Sequence, residues 1–343
     1  MTTTLYTTRE LAALIEPFDK PVCFLRDTFF KTPYLSEKEE VVFDDLDENL
    51  SIAPFVSPLN PGKERAMRGS TSTSYKPPYL KPLHVVNPAD SLKRFPGEML
   101  NGGMDQASRR DLIITQNLMM ENDSIDRREE LMCSEVLQTG SVAITGQPDH
   151  EDVSISYNRP AGHTIALTST ARWGESGVSP VTSLRSWAQT MATNRGGIPM
   201  DVVMGPSAMD LFLDDASLQK NLENRRQDGG IVQFFGGATG AGQSFVLMGQ
   251  VREWRIWQYS QQFKNDAGAS VEVFPAYGVL MASSLMSGWM VYGAIQDEEA
   301  LTPSMRFQTM WQEKNPSRTL TMTQAAPLPV LGRAEATLFA TVR

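Results

Sequence analysis

Cysteine and histidine are nearly missing from this chain: two Cys and three His among 343 residues. Cys23 and Cys133 lie far apart, which excludes a disulfide framework and fits a reducing compartment. His84, His150 and His163 are scattered, and only Asp149-His150-Glu151 gathers potential ligands. A polar turn accounts for that cluster, so no metal site is expected. A basic excess is missing too. Lys and Arg total 31 against 40 Asp and Glu, a formal net charge of −9. This excludes a protein that coats nucleic acid, whose mark is a basic surface. It permits one that encloses nucleic acid without gripping it. One run, 276–295, lacks charge over about the length of a membrane span. Gly278, Ser283, Ser284, Ser287 and Gly288 break it, so two buried elements around a turn are expected, with no membrane role. The start, Met1-Thr2-Thr3-Thr4-Leu5, lacks the basic and apolar regions of a signal peptide, and no export signal is expected.

Catalytic signatures are equally sparse. No Gly-x-Ser-x-Gly elbow occurs. Gly237-Ala238-Thr239-Gly240-Ala241-Gly242-Gln243-Ser244 matches a phosphate-binding P-loop except that Gln243 replaces the lysine that reaches the phosphates. Phe245-Val246-Leu247 then reads as a strand, where a P-loop needs a helix N-terminus. Cys133, next to Met132, suits packing better than nucleophilic chemistry. No catalytic residue and no cofactor are expected.

What the chain does contain is a long helical pattern over 105–139, without Pro or Gly and ending at Gly140. Leu118, Ile125 and Met132 recur every seven residues and Val136 extends the stripe. Asp105 and Asp111 favour the helix dipole at its start, whereas Arg109 and Arg110 oppose it and require acidic company. Asp126, Arg127, Arg128, Glu129 and Glu130 read as a mixed-charge, exposed face.

Around this spine the patterns are shorter. Residues 5–16 read as a helix with Leu11, Leu14 and Ile15 on one face. Phe24, Leu25, Phe29 and Phe30 form an apolar anchor beside Arg26. Residues 37–43 read as a strand ending in an acidic turn at Asp44, Asp45 and Asp47. Prolines then punctuate 50–90, yet Phe55, Val56, Tyr75 and Tyr79 make that region too apolar for plain disorder. A long β-hairpin ordered by a neighbouring chain is expected. Helices follow at 180–193, 206–212 and 216–226. Strands follow at 142–145, 153–157, 201–204, 231–235, 245–248, 253–259, 271–274, 318–323 and 336–342, with 163–167 continuing the 153–157 sheet. This mixture without βαβ alternation is α+β. With 41% hydrophobic residues, a sizeable core is available.

In their order and spacing, several motifs resemble the phage lambda-like major capsid protein family, which has the Hong Kong 97 (HK-97) capsid fold. They are Phe24-Leu25-Arg26, Phe55-Val56-Ser57-Pro58, Arg68-Gly69-Ser70-Thr71-Ser72, Lys81-Pro82 with His84, Val86-Asn87-Pro88, Gly293-Ala294-Ile295-Gln296-Asp297 and Gln324-Ala325-Ala326-Pro327-Leu328. The resemblance implies an N-terminal arm over 1–35, an extended loop over 36–90 and a peripheral domain over 91–165. An axial domain over 166–300 would follow, with a return to the peripheral domain over 301–343. It implies hexamers and pentamers closing an icosahedral shell around double-stranded DNA, assembled in the host cytoplasm and ending in the virion. A separate scaffolding protein, a maturation protease, a portal and a decoration protein are the implied partners. The expected subunit contacts are Phe55, Val56, Arg65, Arg68, Tyr75 and Tyr79 in the loop, with Arg109 and Arg110 on the spine. A tail-tube or decoration subunit is the alternative structural role, and a P-loop-like nucleotide-binding enzyme the alternative catalytic one.

Overall fold

A computed structural model describes residues 23–46, 70–93, 105–144, 152–215, 218–219, 232–234, 244–264, 268–300 and 302–343. The expected helix at 5–16, the P-loop-like segment as far as Gln243, and most of the expected helix at 216–226 lie outside these residues.

In chain order, the first elements are α1 (Phe24–Phe29), β1 (Thr32–Leu35), β2 (Val41–Leu46), β3 (Ser70–Tyr75), β4 (Leu83–Val86) and α2 (Pro88–Leu92). The spine helix α3 (Gln106–Thr139) follows, then β5 (Ser141–Ile144), β6 (Val153–Ser156) and β7 (Thr164–Ala166). Next come α4 (Pro180–Thr193), β8 (Pro199–Met204), α5 (Pro206–Leu213), β9 (Val232–Phe234), β10 (Phe245–Val251) and β11 (Trp254–Tyr259). The chain closes with β12 (Gln262–Lys264), β13 (Ser270–Glu272), β14 (Gly278–Ser283), β15 (Gly288–Tyr292), β16 (Phe307–Lys314), β17 (Ser317–Gln324), β18 (Pro327–Leu331) and β19 (Thr337–Thr341).

A seven-stranded mixed sheet runs in the order β7-β19-β14-β8-β11-β10-β9. Its central strands are buried on both faces, and alternate residues divide between two cores. Val202, Met204, Val279, Met281, Leu338 and Ala340 meet Leu184, Trp187 and Met191 of α4 and Phe212 of α5. Val203, Leu280, Ala282 and Phe339 point the other way, into a core shared with Phe24 and Leu25 of α1 and Cys133, Val136 and Leu137 of the spine. The run 276–295 therefore forms two buried strands, β14 and β15, around a turn, and no described helix is long and apolar enough to cross a membrane.

Smaller sheets surround the spine: β1-β15-β18, β16-β17-β4, β2-β3 and β5-β6. Two expectations change here. Strand β2 begins at Val41 and runs through Asp44 and Asp45, which pair with Ser72 and Thr71 of β3, so no turn forms at those aspartates. The β-tolerant Ser/Thr strand opposite supplies the ladder that keeps them extended. Nor does 163–167 continue the β5-β6 pair. Strand β7 pairs in parallel with β19 at the edge of the large sheet instead.

The spine itself is secured at both ends. The Asp105 side chain accepts from the Ser108 N–H at 3.0 Å. Gly140 closes the other end in the left-handed conformation, φ 73°, its N–H donating to the Val136 carbonyl at 2.8 Å. Arg159 donates to the carbonyls of Leu137, at 2.7 Å, and Gln138, placing a cation where the helix dipole is negative. Burial lowers its pKa to about 10. Leu118, Ile125, Met132 and Val136 are all buried, and Ile114 and Leu137 join them. Ile125→Asp should abolish the folded subunit, because an uncompensated buried charge costs several kcal/mol against a total stability of about 5–15 kcal/mol. Met120→Asp, on an exposed position of the same helix, should leave thermal unfolding by circular dichroism nearly unchanged.

Candidate functional site

The functional geometry of this chain centres on the middle of the spine, where carboxylates occupy helical spacing continuous with the apolar stripe. Asn122, Asp126, Glu129, Glu130 and Cys133 fall on one face. Asp126, Glu129 and Glu130 are buried there, and only Arg127 and Arg128 of that segment are exposed, which overturns the expected solvated face. Charged groups are buried when they are paired, and Asp126 and Glu129 are paired with arginines. Arg26 of α1 donates through Nη1 to Asp126 Oδ1 at 2.5 Å and Glu129 Oε2 at 2.7 Å. Arg306, just before β16, donates through Nη2 to Asp126 Oδ1 at 2.5 Å and through Nη1 to Asn122 Oδ1 at 3.1 Å. Its Nη2 also lies 3.4 Å from Glu129 Oε1.

Glu130 is held differently. Its carboxylate accepts from the backbone N–H groups of Leu25, at 2.8 Å, and Arg26, at 3.0 Å, and from the Tyr259 hydroxyl at 2.8 Å. Neighbouring carboxyls are thus driven in opposite directions. Burial pushes Glu130 up in spite of its three donors. Burial also pushes Asp126 up, but Arg306 and Arg26 outweigh it and its pKa is lowered. The anchor around Phe24 therefore enters the core with its first backbone donors already satisfied by the spine. Cys23 Sγ, 3.6 Å from the Asp126 carbonyl, lies in the same contact. Both cysteines are buried with free thiols, and burial pushes both up, away from thiolate chemistry.

Aromatic residues tie β3 and the segment that follows it to the rest of the chain. Tyr75 donates to the Ser156 carbonyl at 3.1 Å, and its ring lies edge-on to Tyr157 and tilted against Phe43. Tyr79 donates to Gln324 Oε1 at 2.7 Å and accepts from the Gln296 N–H at 3.1 Å, with the Lys81 ammonium 4.7 Å from its ring centre. These two expected contact residues serve the chain's own body within the described structure. Arg109 stands near Asp105 and, after the Ser108 hydrogen bonds, helps to lower that carboxyl's pKa. Arg110 is half-buried, and its Nη2 has no hydrogen-bond partner among the described residues. Phe55, Val56, Arg65 and Arg68 lie outside the described residues. Arg306 and Glu121 escape sequence reasoning. Glu121 nevertheless carries a signal, four residues before Ile125 and on the buried stripe.

Phe245 to Val251 forms a strand after the P-loop-like segment, which removes the helix a phosphate site would need. Among the described residues, no group of three or more potential metal ligands occurs.

Arg306→Met should cost about 3–5 kcal/mol in urea unfolding, since it leaves buried carboxylates short of a counter-charge. The effect is linked to pH. Asp126 has a lowered folded-state pKa, so its contribution is present above the ordinary carboxylate value of about 3.9 and is lost as pH falls through the folded value. Arg306→Met should flatten that acid limb of stability.

The profile of the family described as phage major capsid protein E matches residues 7–342. The major capsid protein of Escherichia phage N15 is 29% identical over 337 residues, covering 95% of this chain and 96% of that protein. That of Escherichia phage lambda is 28% identical over 336 residues with the same coverage. Among solved structures, the protein assigned as a prophage capsid protein in E. coli CFT073 superposes with a TM-score of 0.77 at 19% identity, covering 99% of this chain and 100% of that one. The capsid structure of cyanophage P-SCSP1u gives 0.53 at 12% identity, with coverages of 94% and 89%. The chain thus belongs to the phage major capsid protein E family, and its HK-97-like α+β fold is that of a capsid subunit of a tailed phage.

Proposed function

We propose that copies of this chain assemble as the hexamers and pentamers of an icosahedral shell around double-stranded DNA, and that the subunit has no catalytic role. The family match over nearly the whole chain carries this reading. Residues 1–35 act as the arm and 36–90 as the extended loop. Residues 91–165 with 301–343 form the peripheral domain and 166–300 the axial domain. The acidic net charge supports a container, because a strongly basic wall would bind the DNA polyanion and resist its movement. Assembly takes place in the host cytoplasm, guided by a scaffolding protein, around a portal, and with a decoration protein over the loop.

On this reading the loop reaches a neighbouring subunit through Phe55, Val56, Arg65 and Arg68. Tyr75 and Tyr79 supply the fixed base from which it extends. Arg109 and Arg110 face an adjacent subunit or the loop's own return.

Electron microscopy of the chain co-expressed with its scaffold should reveal closed shells; persistent monomers under all such conditions would contradict the reading. The double variant Arg65→Glu with Arg68→Glu should lower the yield of shells by at least about tenfold, the equivalent of 1.4 kcal/mol per contact set. Its thermal unfolding should match the unaltered chain. Normal shells from that variant would remove the two arginines from the interface.

A further inference from the structure

Glu121 stands apart from the other buried carboxylates of the spine. It is fully buried, and its three side-chain hydrogen-bond partners come from two different elements. Thr321 and Thr323 of β17 donate through their hydroxyls at 2.8 and 2.7 Å. His84 of β4 places Nδ1 3.2 Å from Glu121 Oε1. Whereas Asp126 and Glu129 face permanent guanidinium charges, Glu121 faces the His84 imidazole. Arg306, which reaches the spine from just before β16, is committed to Asn122, Asp126 and Glu129. Helix α2 packs against the spine as well, with its Asp90 taken by Lys93. Adjacent to Glu121 on the spine, Asn122 donates to the Leu118 carbonyl.

Strand β4 is an edge strand among the described residues, paired to β17 over Leu83–Val86, with backbone bonds continuing at Pro82 and Leu80. It leads from the extended hairpin into α2 and the start of the spine. The Glu121–His84 contact joins it to the helix beneath by side chains, across the sheet face.

We propose that Glu121 and His84 form a proton-operated latch, which fastens β4 to the spine while the pair holds a proton and loosens it when the pair has none. With one proton shared, the site is either an ion pair or a neutral acid and imidazole, and the buried charge is compensated. With none, a buried carboxylate keeps its negative charge with two hydroxyl donors and a neutral ring. Burial pushes the Glu121 carboxyl up against its three donors, in the direction this requires. A carboxyl raised in the folded state keeps its proton over a window where the unfolded chain has lost it. Its contribution therefore favours the closed arrangement at lower pH and weakens as pH rises through that window. This is the reverse of the Asp126 cluster.

Hydrogen–deuterium exchange on the full-length chain tests this, with rates corrected for the intrinsic pH dependence of amides. As pH rises from about 5 to about 8, protection of residues 83–86 should fall by about tenfold, the equivalent of one pKa unit. Protection of β14 should stay level. Glu121→Gln should make the 83–86 profile flat. His84→Gln, at a site 35% exposed in its side chain and so tolerant of change, keeps a donor but loses the imidazole that shares the proton, and should move the midpoint to lower pH. A wild-type profile that is flat or rises with pH would overturn the latch. So would either folded variant retaining the wild-type profile.

Discussion

Taking a carboxylate out of water costs several kcal/mol unless its charge and lone pairs are met. The spine helix buries Glu121, Asp126, Glu129 and Glu130 in under three turns. Several of the elements packed against the spine answer that demand. Arg26 brings in α1 and Arg306 brings in the approach to β16. Tyr259 brings in the end of β11, and Thr321 and Thr323 bring in β17. Apolar packing alone would let these elements slide on the helix, since hydrophobic attraction has no direction. Hydrogen bonds to fixed carboxylates set their register. The stabilisation gained over an apolar equivalent is small by this logic; what the cluster supplies is one arrangement in place of several.

That distinction suits a capsid subunit. A shell subunit must present its contact surfaces at fixed relative positions, and errors accumulate around a closed surface. The large sheet is locked between two cores, one backed by α4 and α5 and the other by the spine and α1. The spine's own ends are closed by Asp105, Gly140 and Arg159. The strand pair β2-β3 is packed through Tyr75 and Phe43 with Tyr157.

Much of the architecture is legible in the sequence. The spine announces itself by length, the missing Pro and Gly, and a terminal glycine whose φ of 73° explains the stop. The buried strands around 276–295 are legible from their apolar runs and the glycines and serines between them. The charged segment 126–130 is where the reading fails. Asp126, Glu129 and Glu130 share the helical phase of Ile125 and Cys133, but composition argues for solvent, and their partners Arg26 and Arg306 lie 100 and 180 residues away. Periodicity states which face a residue occupies; it does not state whether a distant arginine comes to meet it. Strand β7 is mispaired for the same reason, since its partner β19 is contributed by the far end of the chain. The acidic run in β2 shows how a cross-strand partner outweighs local turn preference. Of the residues proposed to contact neighbours, Tyr75 and Tyr79 are aromatic and half-buried as their types suggest, yet their hydroxyls are spent within the chain.

A double-mutant cycle across Arg306 and Asp126 tests the register-setting cluster most directly. Urea unfolding would be measured for Arg306→Met, Asp126→Leu, the double variant and the unaltered chain. A shared buried charge pair predicts that the double variant loses less than the sum of the two single losses, by about 1–3 kcal/mol. Losses that add to within about 0.5 kcal/mol would show that the two groups act independently, and would remove the buried cluster from the centre of this structure.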